Sequence, residues 1–431
     1  MHSTGSEFRS TEDKMHQVSF NDQNYYVYRQ DGRNMMETVG PIGLIAETGS
    51  EEFAQKVNEH LYNIRMRYVE ENPEFLQYSP GFIRQNYIIR SESTRFKNGE
   101  GKATLHNSVR GHDIYIISDV LNYSETFNYF GEQVPLAPDD HFTNVIRLTL
   151  AASNKPRRIN VILPFLYEGR QDIRLNRESL DCAFALKELN SLGVESIITF
   201  DPHDSRVENA LPKAGLENIP ATYQLLEALI SDDNKIPFDD NSRVMVVSPD
   251  ETGMKRAMYY ASVMGLPLGT FYLQRDPDVV VEARNPVTAM HFLGDDPEGR
   301  DIIFVDDMIV SGEALLRTAK LLKEKYKVRR IFAVTSFAIF TDGVEALNEA
   351  YEEGLIEKLY ATNLNYHSPE VLAAPWFKNV DMSEYVAQLI DALNHHASIS
   401  GLLDQTEMIN QLLQQRRDER RMLSQMELDE L

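Results

Sequence analysis

The sequence predicts an α/β protein with two similar domains, each built on a parallel sheet flanked by helices. Short apolar strands alternate with amphipathic helices along most of the chain, which is typical of parallel sheets covered on both faces. The alternation occurs twice in succession. The chain of 431 residues is 42 % hydrophobic, so it is long and apolar enough for two cores.

In the first half, apolar residues spaced by four predict a helix over 49–61, at Phe53, Val57 and Leu61. A further helix is predicted over 178–192, and strands over 112–120, 159–166 and 195–201. We predict a polar, irregular extension over 1–40. The segments 62–95 and 122–140 are rich in Tyr, Asn and Pro, and we expect irregular insertions there.

The second half repeats the pattern, with helices predicted over 253–265 and 311–326, and strands over 243–250, 268–275, 289–294, 301–307 and 329–340. We therefore place an N-terminal domain at 41–210 and a C-terminal domain at 211–404. The residues 405–431 predict a charged helical tail, which is either solvated or forms an oligomer contact.

Composition excludes several classes of function. The formal net charge of −23 argues against nucleic acid and against an anionic membrane surface as partners. There is no run of eighteen apolar residues for a membrane span, and the first residues lack the apolar core of a secretion signal. The single cysteine, Cys182, cannot form an internal disulfide, so we expect a reducing compartment, the cytoplasm.

Four predicted strands end in polar residues. These ends read Asp201-Pro-His203, Ser248-Pro-Asp250, Leu273-Gln-Arg275 and Asp306-Asp307. Ligands of parallel α/β sheets bind beyond the carboxyl ends of the strands, so these ends mark the expected site.

Two interpretations of Asp306 and Asp307 are open on spacing alone. Their carboxylates suit sugar hydroxyls or Mg²⁺, and the following turn offers backbone N–H groups and Ser311 to a phosphate at a helix start. Alternatively, Ser311 merely caps the helix and the aspartates merely end a strand.

Several motifs together resemble the ribose-phosphate pyrophosphokinase family, whose domains have the phosphoribosyltransferase fold. They stand in that family's order: RFKNGE, SVRGHDIYII, LPFLYEGRQDIRLNRESL, TFDPHD, VVSPDETGMKRA and VDD with its short turn. The resemblance covers about residues 41–404, and four motifs in register are far more specific than any one of them. It implies two phosphoribosyltransferase-like domains.

The resemblance implies a role for each matching residue. Those lining ATP would be Phe96, Asn98, Glu100, Arg170, Gln171 and Asp172. The first three belong to a loop that reaches the adenine from a neighbouring subunit, which implies a homo-oligomer with a shared nucleotide site.

The remaining implied roles concern the metal, the sugar and the reaction. His203 and Asp250 match positions that touch Mg²⁺-triphosphate, and the ribose 5-phosphate site matches Asp306, Asp307, Ser311 and Gly312. Arg275 and His203 are the candidate catalytic residues. The implied reaction transfers diphosphate from Mg-ATP to ribose 5-phosphate, giving phosphoribosyl diphosphate and AMP.

The sequence departs from the family pattern at two places that the resemblance implies for the reaction, a mobile loop and the ribose-phosphate turn. Gln274 and Asp276 stand where the family has a lysine and an arginine on a mobile loop, and only Arg275 between them is cationic. In the turn, Val310 replaces an aspartate, and Glu313 and Ala314 replace a glycine and a threonine.

Two functions therefore stay open. The first is a diverged but active ribose-phosphate diphosphokinase. The second is a weak or silent homologue that binds nucleotide and acts as a regulatory or assembly subunit. An enzyme that consumes the diphosphate product fits less well, because it would not need the ATP-side motifs.

Overall fold

The structure is a computed structural model, and it describes residues 38–73, 76, 81–174, 176–213, 215–232, 234–275 and 287–429. The predicted extension therefore lies outside the described residues except for 38–40, and so does Asp276. The backbone of Arg275 is described, but its side chain is not.

The first half of the chain forms a five-stranded parallel sheet with helices on its faces. Its elements are β1 (Ile42–Ala46), α1 (Glu51–Glu71), β2 (Ser91–Arg95), β3 (Gly101–Leu105), β4 (Asp113–Ile117), β5 (Thr126–Tyr129), β6 (Glu132–Pro135), α2 (Pro138–Ala152), β7 (Arg158–Ile162), α3 (Asp181–Ser191), β8 (Ser196–Phe200) and β9 (Gly215–Ile219). The strand order is β1-β4-β7-β8-β9. The pairs β2–β3 and β5–β6 are separate antiparallel hairpins.

The second half forms a seven-stranded sheet. Its elements are α4 (Thr222–Ser231), β10 (Val244–Ser248), α5 (Met254–Met264), β11 (Leu268–Arg275), β12 (Val287–Gly294), β13 (Asp301–Ile309), α6 (Glu313–Glu324), β14 (Arg330–Ala338), α7 (Glu345–Glu352), β15 (Lys358–Thr362), α8 (Pro369–Ala373), β16 (Phe377–Val380), α9 (Ser383–Asn394), α10 (Ser400–Leu403) and α11 (Thr406–Asp429). The order is β12-β11-β10-β13-β14-β15-β16, and β12 alone in this sheet pairs antiparallel. The predicted fold class, parallel sheets flanked by helices in two similar domains, is confirmed.

Both segments that we expect to be irregular contain regular structure. The helix predicted to end at Leu61 continues to Glu71, because Ile64 and Tyr68 extend its buried stripe by two turns. The segment 122–140 holds the β5–β6 hairpin, whose two turn residues, Phe130 and Gly131, both have positive φ, as tight hairpins require. The prediction of irregular structure is wrong in these parts, and whether the segments are insertions stays a prediction.

The two sheets are joined by more than their connecting chain. The first sheet continues to Ile219 at the end of β9, beyond the boundary that we predict at residue 210. Helix α9, from the end of the second half, packs along α1 of the first, where Arg65 forms a buried ion pair with Asp391 at 2.8 Å. Asn394 donates a hydrogen bond to Asp113 at 2.9 Å.

The predicted tail is the helix α11, and its first half is packed. Ile409, Leu412 and Leu413 are buried among side chains of the core that includes α4 and α5. Throughout the described ranges, no helix is both long enough and apolar enough to cross a bilayer.

Candidate functional site

The polar ends of β8 and β13 meet between the two sheets. Asp201 to Asp204 follow β8 of the first sheet, whereas Asp307 lies near the end of β13 in the second. The imidazole of His203 contacts Asp307 across this boundary, with 2.7 Å between Nδ1 and Oδ2. Residues 104 positions apart in sequence thus form one hydrogen-bonded pair at the expected edge.

Neighbouring groups shift the pKa values of His203, Asp307 and the adjacent Asp306. The hydrogen bond that His203 donates to Asp307 raises the pKa of His203, against the effect of its partial burial. Burial alone would raise the pKa of Asp307, but the hydrogen bond from His203 and the charge of Arg256 hold it below its ordinary value. Asp306 is the opposite case, since burial and the neighbouring Asp307 charge raise its pKa well above the ordinary range. The pKa values of the two adjacent carboxyl groups are therefore shifted in opposite directions.

Arg256, which sequence reasoning did not single out, places a positive charge close to the carboxylates of Asp307 and Asp201. It lies in the first turn of α5 with its Nη1 3.8 Å from Asp307 Oδ1 and its Nε 3.9 Å from Asp201 Oδ1. Its Nη2 also donates to the backbone carbonyl of Asp201. The signal was present, because Arg256 belongs to the VVSPDETGMKRA motif, where a predicted helix starts.

Two cavities share His203 and Asp307 in their linings. The first, of about 450 Å³, is lined mostly by residues of polar or charged type. Besides the shared pair, its walls include Asp172, Asp204, Lys255 and Arg256.

The second cavity, of about 500 Å³, is formed by the turn from Asp306 to Ala314 and by residues of the neighbouring β10 and β11 ends. Gly312 has φ of +87° just before α6 begins, a conformation that favours glycine. The carboxylate of Glu313 has a cationic partner. Its Oε1 accepts a hydrogen bond from Arg317 Nη1 at 2.9 Å, one helical turn further on, and Arg317 also lines the cavity.

The predicted nucleotide residues are divided between these places. Asp172 lines the first cavity and Arg170 the second. Gln171 lines neither, and its amide Nε2 donates to the carbonyl of Ser179 at 3.1 Å.

The three residues of the predicted adenine loop are together, but away from both cavities. Phe96, Asn98 and Glu100 form the turn of the β2–β3 hairpin, where Phe96 N–H donates to the carbonyl of Glu100. The Phe96 ring is 47 % exposed. Gly99 in this turn has φ of +89°, and a Cβ there would lie 2.9 Å from the ring of Tyr129, so the β5–β6 hairpin supports the turn.

The other predicted residues lie on the second cavity or beside it. Ser311 and Gly312 line it, and so does Asp250, whose Oδ1 accepts the backbone N–H groups of Thr252 and Gly253. One carboxylate oxygen of Asp250 is therefore hydrogen-bonded within its own turn. Gln274 is exposed near the end of β11, where the pairing with β12 shifts register before Arg275.

Comparison with known families assigns both halves. Residues 42–193 match the family model of the N-terminal domain of ribose phosphate pyrophosphokinase, and residues 214–350 match that of the phosphoribosyl transferase domain. Together these matches span about two thirds of the chain. The chain belongs to the ribose-phosphate pyrophosphokinase family.

Individual relatives agree with this assignment. The ribose-phosphate pyrophosphokinase of Vibrio cholerae is 27 % identical over 329 residues, which cover 74 % of this chain and 93 % of the relative. That of Shewanella oneidensis is 28 % identical over 317 residues, covering 72 % and 89 %. The crystal structure of phosphoribosylpyrophosphate synthetase from Mycobacterium smegmatis superposes with a TM-score of 0.63 at 19 % identity, covering 82 % of this chain and 99 % of that one. This last match supports the fold.

The ribose-phosphate pyrophosphokinase family implies Mg²⁺, and the carboxylates here fit it in part. Asp306 and Asp307 offer the oxygen ligands that Mg²⁺ prefers. In the part of the chain that the structure describes, no group of three or more His, Cys, Asp or Glu side chains is arranged to hold a metal ion. A cation at this edge would therefore take most of its ligands from substrate phosphates and water, as Mg²⁺ commonly does.

Proposed function

We propose that this protein transfers diphosphate from Mg-ATP to ribose 5-phosphate, giving phosphoribosyl diphosphate and AMP. One observation carries the proposal: the cavity lined by Asp172 and the residues after β8, and the cavity of the pentose-side turn, share the His203–Asp307 pair. Two substrates bound on either side of one pair would be held close enough to react.

The chemistry asks these residues for positioning and charge balance rather than for a covalent intermediate. Asp307 orients the His203 imidazole and raises its pKa, which favours a cation beside the phosphates. The positive charge of Arg256 offsets the negative charges of Asp201 and Asp307. Asp306 and Asp307 would hold Mg²⁺, which supplies further neutralisation of the triphosphate when bound.

The nucleotide site is proposed to be shared between copies of the chain. Phe96, Asn98 and Glu100 lie together on an exposed turn that does not line either cavity of their own protomer. A second protomer would bring such a turn to the nucleotide, so we propose a homo-oligomer. The cytoplasmic location stays a prediction.

A second function, nucleotide binding by a catalytically weak regulatory or assembly subunit, is favoured by the end of β11. Gln274 is uncharged and exposed where the family has a lysine. Loss of one transition-state donor commonly lowers the rate by roughly 10²–10³.

AMP release from Mg-ATP, measured with and without ribose 5-phosphate, distinguishes the two functions. Sugar-dependent AMP supports the transferase, and nucleotide binding without AMP supports the regulatory subunit. The variant H203Q should lower sugar-dependent AMP release strongly. H396N is the matched control, because His396 is exposed and its positive φ is tolerated by Asn. If Mg-ATP and ribose 5-phosphate both fail to bind, both functions are refuted.

A further inference from the structure

We infer that Arg317 binds the phosphate group of the pentose substrate and determines the selectivity of this site for a phosphorylated sugar. The inference rests on the proposed function and adds a residue that the motifs did not indicate. It also explains how a turn that carries Glu313 can accept an anion.

The position of Arg317 follows from the helix that begins at the turn. Glu313 is the first residue of α6, and Arg317 lies one turn later on the same face. Both side chains line the second cavity together with Ser311 and Gly312. Arg317 thus lines the same cavity as the turn that precedes α6. Backbone N–H groups at such a helix start favour a phosphate.

The charges of this cavity make a cation necessary. Its acidic residues are Asp250, Asp306, Asp307 and Glu313, and its arginines are Arg170 and Arg317. A phosphate placed at the turn adds further negative charge, and Ala314 offers no hydroxyl where the resemblance predicts one. Without Arg317, Glu313 would face the phosphate with no cation within one turn of it on α6.

Arg317 can contact the Glu313 carboxylate and a bound phosphate at the same time. Within the described residues its guanidinium makes one ion pair, through Nη1 to Glu313. A guanidinium has five N–H donors in a planar fork, so four remain for a phosphate. The side chains are 39 % and 77 % exposed for Arg317 and Glu313, so the fork can reorient at little cost. The pair therefore keeps the arginine beside the turn until a phosphate takes its free donors.

The test compares direct binding of ribose 5-phosphate and of ribose by calorimetry, using the full chain with Mg²⁺ present. R317Q should weaken ribose 5-phosphate binding roughly 10- to 100-fold, the usual effect of losing hydrogen bonds to a charged group, and leave ribose binding unchanged. R317K should recover part of the loss, because it restores the charge without the fork. E313Q should strengthen ribose 5-phosphate binding a few-fold.

K320Q is the matched control, since Lys320 lies one turn below Arg317 on the same helix and forms an exposed pair with Glu324. It removes one positive charge outside the cavity and should leave both affinities unchanged. Equal ribose 5-phosphate affinity for R317Q and the unaltered protein would overturn the inference while the proposed function stands. An unaltered protein that binds Mg-ATP but no ribose 5-phosphate would overturn both.

Discussion

Replacing Arg256 by methionine should destabilise the protein in a pH-dependent way, because Arg256 is the cation between two carboxylates at the sheet boundary. Its guanidinium is 18 % exposed and lies 3.8 Å from Asp307 and 3.9 Å from Asp201. At an effective dielectric constant of about 20, each contact corresponds to about 4 kcal/mol of attraction. The cost of desolvating the guanidinium offsets much of this sum.

The net loss is expected near the lower end of what breaking a buried pair costs, about 3 kcal/mol. The partners left behind are not isolated. Asp307 keeps His203, and Asp201 keeps Ser336 Oγ at 2.6 Å and the backbone N–H of Ala221. For domains of this size about 3 kcal/mol corresponds to a fall in Tm of roughly 6–12 °C.

The pH dependence follows from Asp307. Arg256 is one of the groups that lower the pKa of this carboxyl, so R256M should raise it. A raised folded-state pKa costs stability above that pKa, and the cost disappears as the carboxyl takes up a proton at lower pH. Because the pKa of Asp307 in the unaltered protein lies below its ordinary value, the fall in Tm should be larger at about pH 7 than at about pH 4.

Thermal unfolding at these two pH values checks the reasoning. R329M is the matched control, because Asp301 loses one arginine but keeps Arg330 at 2.7 Å. Its effect should be under about 1 kcal/mol, because Arg330 still pairs with Asp301 and still lowers the pKa of this carboxyl. A loss for R256M that is equal at about pH 4 and about pH 7, or no larger than that for R329M, would refute the proposed charge balance.

The remaining predictions concern the domain boundary. D307N should lower the pKa of His203 because it removes the main group that raises it, and an NMR titration of the imidazole measures the change; an unchanged pKa would contradict the pairing. R65M should lower the free energy of unfolding by about 3–5 kcal/mol, since it removes the buried cation of Asp391. Denaturant unfolding tests this, and a loss under about 1 kcal/mol would show that the pair is not important for stability.

Much of the fold was predictable because its signals are local. The strand predicted to end in Asp306 and Asp307 is apolar from Ile302 to Val305, and the structure places it in the centre of the second sheet, paired parallel to both neighbours. The polar ends of strands predicted the edge where His203 and Asp307 meet. The helix over 49–61 was underestimated, because Arg65 and Asn58 interrupt its apolar stripe although both are buried.

The charge balance of the site was not predictable in the same way. Arg256 and Arg317 lie on amphipathic helices, where an arginine usually marks the solvated face. Whether such a residue faces solvent or a cavity depends on the rotation of the helix against its sheet. Likewise, nothing local to His203 indicates that its partner would be Asp307 of the other sheet.

The geometry of the site depends on how the two sheets dock. His203 belongs to the first sheet's edge and Asp307 to the second's, so their 2.7 Å contact is also a contact between domains. Helix α9 sets the docking elsewhere, through the buried pair of Arg65 with Asp391 and the hydrogen bond from Asn394 to Asp113. Because a hydrogen bond weakens within a few tenths of an ångström, a small change in this packing would separate the shared pair. Substitutions at Arg65 should therefore impair sugar-dependent AMP release as well as stability, whereas R317Q should impair only the affinity for the phosphorylated sugar.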